Sequence, residues 1–197
     1  MEEQFILVKN DLSLTFDPVE DTKYVILVSG NLTGSITINV KGKGRHIHII
    51  GLMLGKGEEK TEFTFIARHL SQDTKTTVKV TAFASGSANL LVKNDVQIEK
   101  KSFGARTDIT QRTLRLSANS RVRSLPILGM DHENLMATHA AVIDGYDQTA
   151  LGYLMSRGIP LSESRKALAF GMFRALTENV SDPNTRQTLY NEWGQFS

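Results

Sequence analysis

"ATHAAVIDGYDQTALGYLMSRGIP", residues 137–160, changes its periodicity once and stops once within a short run. Leu135, Ala137, His139, Ala141 and Ile143 share one parity, so Leu135 to Ile143 reads as a strand with a single imidazole among small apolar side chains. Asp144-Gly145-Tyr146-Asp147 reads as a turn, with Asp147 as N-cap of a helix over Gln148 to Arg157. Gly158, followed by Pro160, is a C-terminal stop. The chain therefore divides into a β segment, 1–143, and a helical segment, 144–197.

Working upstream, the region from residue 23 to about 117 consists of short period-two runs between Gly, Asn and Asp punctuation. Ile36, Ile38 and Val40 alternate with Thr37 and Asn39, and Phe63 and Phe65, Val78 and Val80, and Leu114 and Leu116 follow the same scheme. Such strands, each with one buried face, suit a sandwich, a barrel or a β-solenoid, and periodicity does not choose among them. No strict repeat of one length is present. After Pro126, Ile127–Gly129 and Leu135–Ile143 read as two last strands joined by a polar turn at Asp131-His132-Glu133-Asn134. Downstream, Ser162 is a candidate cap for a second helix with Ala167, Leu168, Gly171, Met172, Ala175 and Leu176 on one face. Asp182-Pro183 is a cap-plus-N1 pair for a third helix ending near Trp193.

At 197 residues the chain can bury about 70% of its unfolded surface without staples. No window approaches the roughly 20 apolar residues of a membrane span. Phe5–Val8 is too short for the core of a signal peptide, so the expected setting is cytoplasmic, with no membrane partner. The absence of cysteine excludes disulfides, thiolate catalysis and thiolate ligation by this chain. A net charge of +2 does not argue for nucleic acid. A basic stripe does run from Lys93 to Arg123, through Lys100, Lys101, Arg106, Arg112, Arg115 and Arg121; with Phe103 as its only aromatic residue it reads as a solvated strand face.

Motifs for chemistry are few. Gly51 to Gly57 departs from a phosphate-binding loop in its glycine spacing and lacks the hydroxyl that Mg²⁺ needs, and reads as a turn. His46 and His48 share one strand face opposite Ile47 and Ile49, and are expected to point to solvent. No Gly-x-Ser-x-Gly elbow occurs. Chemistry alone reads His139 as a half-buried histidine bonded to backbone in preference to a ligand.

Thr138-His139-Ala140-Ala141, then Tyr153-Leu154-Met155-Ser156-Arg157-Gly158-Ile159, Glu163 and Gly171, resemble the C-terminal signature of the SufB/SufD family of iron–sulfur cluster assembly proteins. The run His69 to Thr74 and the segment from Gln111 to Leu128 are also similar, so the resemblance covers about residues 65 to 176. It implies a right-handed parallel β-helix with a C-terminal helical segment, and a non-enzymatic scaffold component. The implied partners are a SufC-like ABC ATPase and either a SufB-like subunit or a second copy of the chain. By position, His139 matches a histidine placed near the subunit interface, a cluster or metal candidate. Tyr153, Leu154, Arg157, Gly158, Glu163, Gly171 and Phe173 fall in the part that the resemblance assigns to ATPase docking.

The departures bear on cofactors. Scaffold-type members carry a ligating cysteine at about the place of Gln111, and a glutamate after the histidine where this chain has Ala140. The resemblance therefore implies no cluster bound by this chain alone, and a transient one at a subunit interface. Exposed strand edges at the end of a β-helix favour a dimer. The competing expectations are a β-helix interaction module with no cluster role, and a β-helix polysaccharide lyase, which would need grouped calcium-binding carboxylates.

Overall fold

The computed structural model describes residues 1–131 and 134–196; of the Asp131–Asn134 turn, His132 and Glu133 lie outside the described residues. Eleven strands run in chain order: β1 (Glu2–Val8), β2 (Leu12–Phe16), β3 (Thr22–Ser29), β4 (Leu32–Val40), β5 (His46–Gly55), β6 (Lys60–His69), β7 (Lys75–Ala84), β8 (Asn89–Ile98), β9 (Ala105–Arg115), β10 (Arg121–Met130) and β11 (Leu135–Ile143). Three helices follow, α1 (Gln148–Ser156), α2 (Leu161–Thr177) and α3 (Pro183–Phe196). Odd strands form one sheet in the order β1-β3-β5-β7-β9-β11, and even strands the other, β10-β8-β6-β4-β2. Every pairing is parallel. A chain that lays alternate strands on two parallel sheets is a parallel β-helix.

The register explains why no fixed repeat is visible in the sequence. Glu2 pairs with Thr22, a step of 20 residues, and Thr22 with Ile47, a step of 25. The later steps are 29 from His46 to Lys75, 31 from Lys75 to Arg106 and 30 from Ala105 to Leu135. The rungs lengthen along the axis, so the same inward position recurs at a drifting interval.

Inward side chains stack rung on rung. Tyr24, Ile49, Val78 and Ile109 occupy successive rungs in register and all are buried. Phe63 and Phe65 meet edge to face, with ring centroids 5.1 Å apart. Each such side chain contributes roughly 1.5–3 kcal/mol by leaving water. At one corner His69 is fully buried, its Nδ1 2.7 Å from the Thr74 hydroxyl and its Nε2 3.0 Å from that of Thr76. The Thr74 hydroxyl donates to the Ser71 carbonyl, so Nδ1 carries the proton and donates to Thr74.

The first sheet is also covered from outside. Val25, Leu27, Leu52, Leu54, Phe83 and Leu114 point away from the interior and form a second core with Ala169, Phe173, Leu189, Trp193 and Phe196. Trp193 stacks on Phe173 with centroids 4.5 Å apart and meets Phe83 edge-on at 4.9 Å. Burial on both faces is why β3 and β5 contain continuous apolar runs rather than alternation. Polar bonds fasten the same helices: Lys9 Nζ lies 2.6 Å from Glu192, Lys56 Nζ donates to the Gln195 carbonyl at 2.7 Å, and Glu3 accepts from Lys23 Nζ and from the N–H groups of Ser181 and Asp182. Burial alone would raise the Glu3 carboxyl; the Lys23 ammonium and those N–H groups hold it below its ordinary value.

Several local expectations change. Two strands, β1 and β2, precede the region of clear alternation. Gly51 is not in a turn but inside β5, and only the stretch after Gly55 turns. A Cβ on Gly51 would lie 2.8 Å from the Phe65 ring and 2.9 Å from Val80, so the missing side chain makes room for the aromatic one. β10 runs from Arg121 through Pro126, which an edge strand tolerates because the absent N–H need not join a ladder. Pro160, not Ser162, is the N-cap residue of α2, and Ser162 lies inside its first turn. The buried stripe of α2 is Ser164, Ala169, Phe173 and Thr177, rotated from the expected face because Phe173 seats on Trp193. His46 and His48 do face outward, but they are half-buried and in edge-to-face contact, centroids 4.5 Å apart.

Gly51→Ala is expected to destabilise the protein by about 1–3 kcal/mol through overpacking against Phe65, read as a lower urea midpoint with unchanged m-value. A second expectation concerns pH. Burial pushes the His69 imidazole down to about 4, so between about pH 6.5 and 4 the unfolded chain binds a proton that the native one refuses. Stability is full above that window and falls by up to about 3 kcal/mol as pH drops through it. His46 and His48, also lowered by burial, act in the same direction. Thermal melts from pH 7.5 to 4.5 should therefore show a shallower decline for His69→Asn than for the parent, although the variant starts lower.

Candidate functional site

The β-helix stops at β10 and β11, which are the terminal strands of their sheets at the same end. His139 pairs in register with Ile109, so it tops the inward ladder that runs from Tyr24 through Ile49, Val78 and Ile109. Its parity is the one read from the sequence. Its environment is not, because no rung lies above it: His139 is exposed and its side chain makes no hydrogen bond among the described residues. Ala141, two residues on, pairs with Gln111, which is fully buried and hydrogen-bonded to Asn94 Nδ2 at 3.0 Å and to the Val92 carbonyl at 3.2 Å. The glutamine thus plugs the interior just beneath the open end.

The same end carries an apolar surface that sequence reasoning missed. Leu125, Ile127, Met136, Val142 and Ile143 are each more than 40% exposed. The readable signal is that β11 contains no charged residue over its whole length.

The turn that follows is clasped to the previous rung. Asp144, at φ 52°, accepts from the backbone N–H of Arg115 at 3.1 Å and from its guanidinium Nε at 2.8 Å, with Nη2 also in contact. This ion pair holds the Arg115 guanidinium above its ordinary value. The Tyr146 hydroxyl donates to the Arg115 carbonyl at 2.9 Å, and the Arg165 guanidinium lies 5.8 Å from the Tyr146 ring. Burial pushes the Tyr146 phenol up to about 12, so it stays a donor. Asp147 Oδ1 then accepts from the N–H groups of Thr149 and Ala150, capping α1 as its sequence predicts. Two aspartates and the tyrosine between them each have a separate task in setting the exit angle of the helix.

Along α1 and the start of α2 the sequence candidates separate. Tyr153 is 58% exposed, and the Arg157 guanidinium lies 5.1 Å from its ring centroid. Leu154 is half-buried, Gly158 sits at φ +85° as the stop, and Glu163 is exposed, 3.7 Å from Lys166. Met155, Ile159 and Leu161, close to Tyr153 in the chain, are exposed apolar residues as well. Gly171 is exposed, and a Cβ added there would meet nothing within 4 Å. Phe173 is fully buried against Trp193, and so holds α2 in place instead of offering surface.

An iron–sulfur cluster does not fit the donors of this chain taken alone. There is no cysteine, and among the described residues no group of three or more His, Asp or Glu side chains could hold a metal ion. Among the described residues His139 belongs to no such group. The grouped carboxylates of a calcium-dependent lyase are likewise missing among the described residues. No helix among the described residues is long and apolar enough to cross a membrane.

Residues 21–172 match the family model described as "SUF system FeS cluster assembly, SufBD core domain". The chain is 26% identical over 164 residues to the iron–sulfur cluster assembly protein SufD of Bacillus subtilis, covering 83% of this chain and 38% of that protein. It is 25% identical over 177 residues to an iron–sulfur cluster assembly SufBD family protein of Mycobacterium leprae, 85% of this chain and 45% of the relative. The SufB protein of Bacillus subtilis is 24% identical over 159 residues, 78% of this chain and 34% of that one. The chain thus spans less than half the length of these curated relatives.

Asp144→Ala removes the clasp on Arg115 and places a side chain poorly suited to φ 52° in the turn. The expected cost is about 1–2 kcal/mol, with faster backbone hydrogen exchange in α1 than in β5 to β8. Asp144→Gly, which relieves the backbone but not the lost bonds, should recover only part of it.

Proposed function

The chain belongs to the SufBD core family of iron–sulfur cluster assembly proteins, and from that premise we propose that it is a non-catalytic component of a SUF-type scaffold, acting in the cytoplasm. The observation that carries the reading is the pair of exposed surfaces at one end of a cysteine-free chain. One is the uncharged edge of β11 with Met136, Val142 and Ile143; the other is the face of α1 and α2 around Tyr153 and Arg157. The first suits pairing with a SufB-like subunit or a second copy, since an edge strand offers unpaired backbone donors and acceptors along with its apolar side chains. The second suits docking of a SufC-like ABC ATPase, with Tyr153 as an aromatic anchor and Arg157 beside it.

In this reading a cluster is cargo, present transiently at the subunit interface. His139, on the last rung, supplies one imidazole, and thiolate ligands come from the other chain. The alternative, an interaction module without a cluster role, draws on the lone imidazole and the missing cysteine.

Light scattering of the protein, alone and mixed with the ABC ATPase from the same genome, tests the proposal. Arg157→Glu with Tyr153→Ala should weaken the ATPase complex at least ten-fold and leave pairing intact, whereas Met136→Lys should abolish pairing and spare the ATPase. Unchanged ATPase binding in the first variant would remove the docking claim. Truncation after Ile143 is a poorer test, because it would strip the cover from Phe83, Leu52 and Leu114.

A further inference from the structure

We propose that the cavity between the outer face of the first sheet and α2 binds a small organic anion bearing a phosphate group. The cavity, open to solvent on one side, has a volume of about 720 Å³, within the range of about 300–1,000 Å³ typical of small-molecule sites. The second core covers one half of the sheet's outer face, and α2 overhangs the other half without filling it.

The floor is cationic. Lys79 on β7 pairs in register with Thr110, and Arg112 on β9 pairs with Thr81, so the two cations are diagonal neighbours on one face. Among the described residues neither has an ion-pair or hydrogen-bond partner. Like charges in adjacent rows repel, and an anion between them would remove that cost. Lys23 adds a third cation, although Glu3 and the Asn179 carbonyl already engage it. Among the described residues no carboxylate lines the cavity; Asp108, in register with Thr77 on the next row, already accepts from the Thr138 hydroxyl.

Two features choose the ligand class. Lys79 and Arg112 stand beside the hydroxyls of Thr77, Thr81 and Thr110 and the ring of His48, more donors than the two oxygens of a carboxylate use and a set suited to the several oxygens of a phosphate. Met172, Leu176 and Ile50 form an apolar wall, which would accept a ring or a short chain attached to the phosphate. Arg112 belongs to the basic stripe read as a solvated face, and the stripe accordingly divides. Lys93, Lys101 and Arg115 pair with Glu62, Glu99 and Asp144, while Lys100, Arg106, Arg112, Arg121 and Arg123 have no ion-pair partner among the described residues, and of these Arg112 is the one that lines the cavity. Neither pairing nor ATPase docking enters this inference, so it stands or falls apart from the scaffold reading.

Calorimetric titration at fixed ionic strength, with phenyl phosphate, inorganic phosphate, benzoate and phenol as probes, tests it on the full chain. Saturable one-site binding of phenyl phosphate is expected, tighter than that of inorganic phosphate or benzoate, with no heat from phenol. Lys79→Gln and Arg112→Gln, both at exposed positions, should each weaken phenyl phosphate at least ten-fold with unchanged melting temperature in its absence, and Lys93→Gln should have no effect. No saturable binding, equal affinity for benzoate and phenyl phosphate, or binding unchanged in both cavity variants would overturn the proposal.

Discussion

Everything in this molecule depends on parallel, in-register stacking of one rung on the next. The backbone ladder of each strand needs neighbours on both sides, and each inward side chain needs one above and one below. Tyr24, Ile49, Val78 and Ile109 satisfy that condition; His139 has it on one side only. The fold therefore creates the exposed imidazole without any special local feature. The same side chain lower in the stack would be core, as His69 shows at its corner, where two hydroxyls satisfy the ring and burial keeps it neutral.

The helical segment solves the complementary problem on the outside of the first sheet. Trp193 and Phe173 fill the space over Phe83, and Glu3, Lys9 and Lys56 tie down the ends of the helices. That arrangement commits α3 and one face of α2 to the sheet. It leaves α1 held chiefly by Leu151 and by the Asp144–Tyr146 clasp, with most of its side chains outward. A short helix with one anchored residue is a poor contributor to a core and a good platform for a partner.

What is legible in the sequence follows the range of the chemistry involved. The strand Leu135–Ile143, the Asp147 cap, the Gly158 stop and the Asp182-Pro183 start appear where local pattern puts them, because each depends on neighbours within a few residues. Gly51 reads as turn and is strand because its reason is a phenylalanine on another strand, Phe65, invisible to local pattern. The face of α2 is displaced because its period fits more than one stripe, and Trp193 chooses among them. Choosing a solenoid over a sandwich rests on family resemblance: period two is common to all half-buried strands, and rungs growing from 20 to about 30 residues hide the repeat. Parity puts His139 on the right face and in the wrong environment, because exposure here is set by position in the stack.

The two ends of the solenoid are not equivalent, and the difference bears on which one meets a partner. At the first end β1 carries Glu2 and Glu3, and β2 is only five residues long, with Ser13 and Thr15 exposed; charge and short length are common protections of an edge. At the other end β10 has Arg121, Arg123 and Pro126, which guard one sheet, but β11 presents nine uncharged residues with an exposed methionine, valine and isoleucine. An edge of that kind left bare in a crowded solution invites indiscriminate strand addition. A partner strand added to β11 would relieve that exposure, and its approach would bring its side chains over His139, which tops the inward ladder on the last rung.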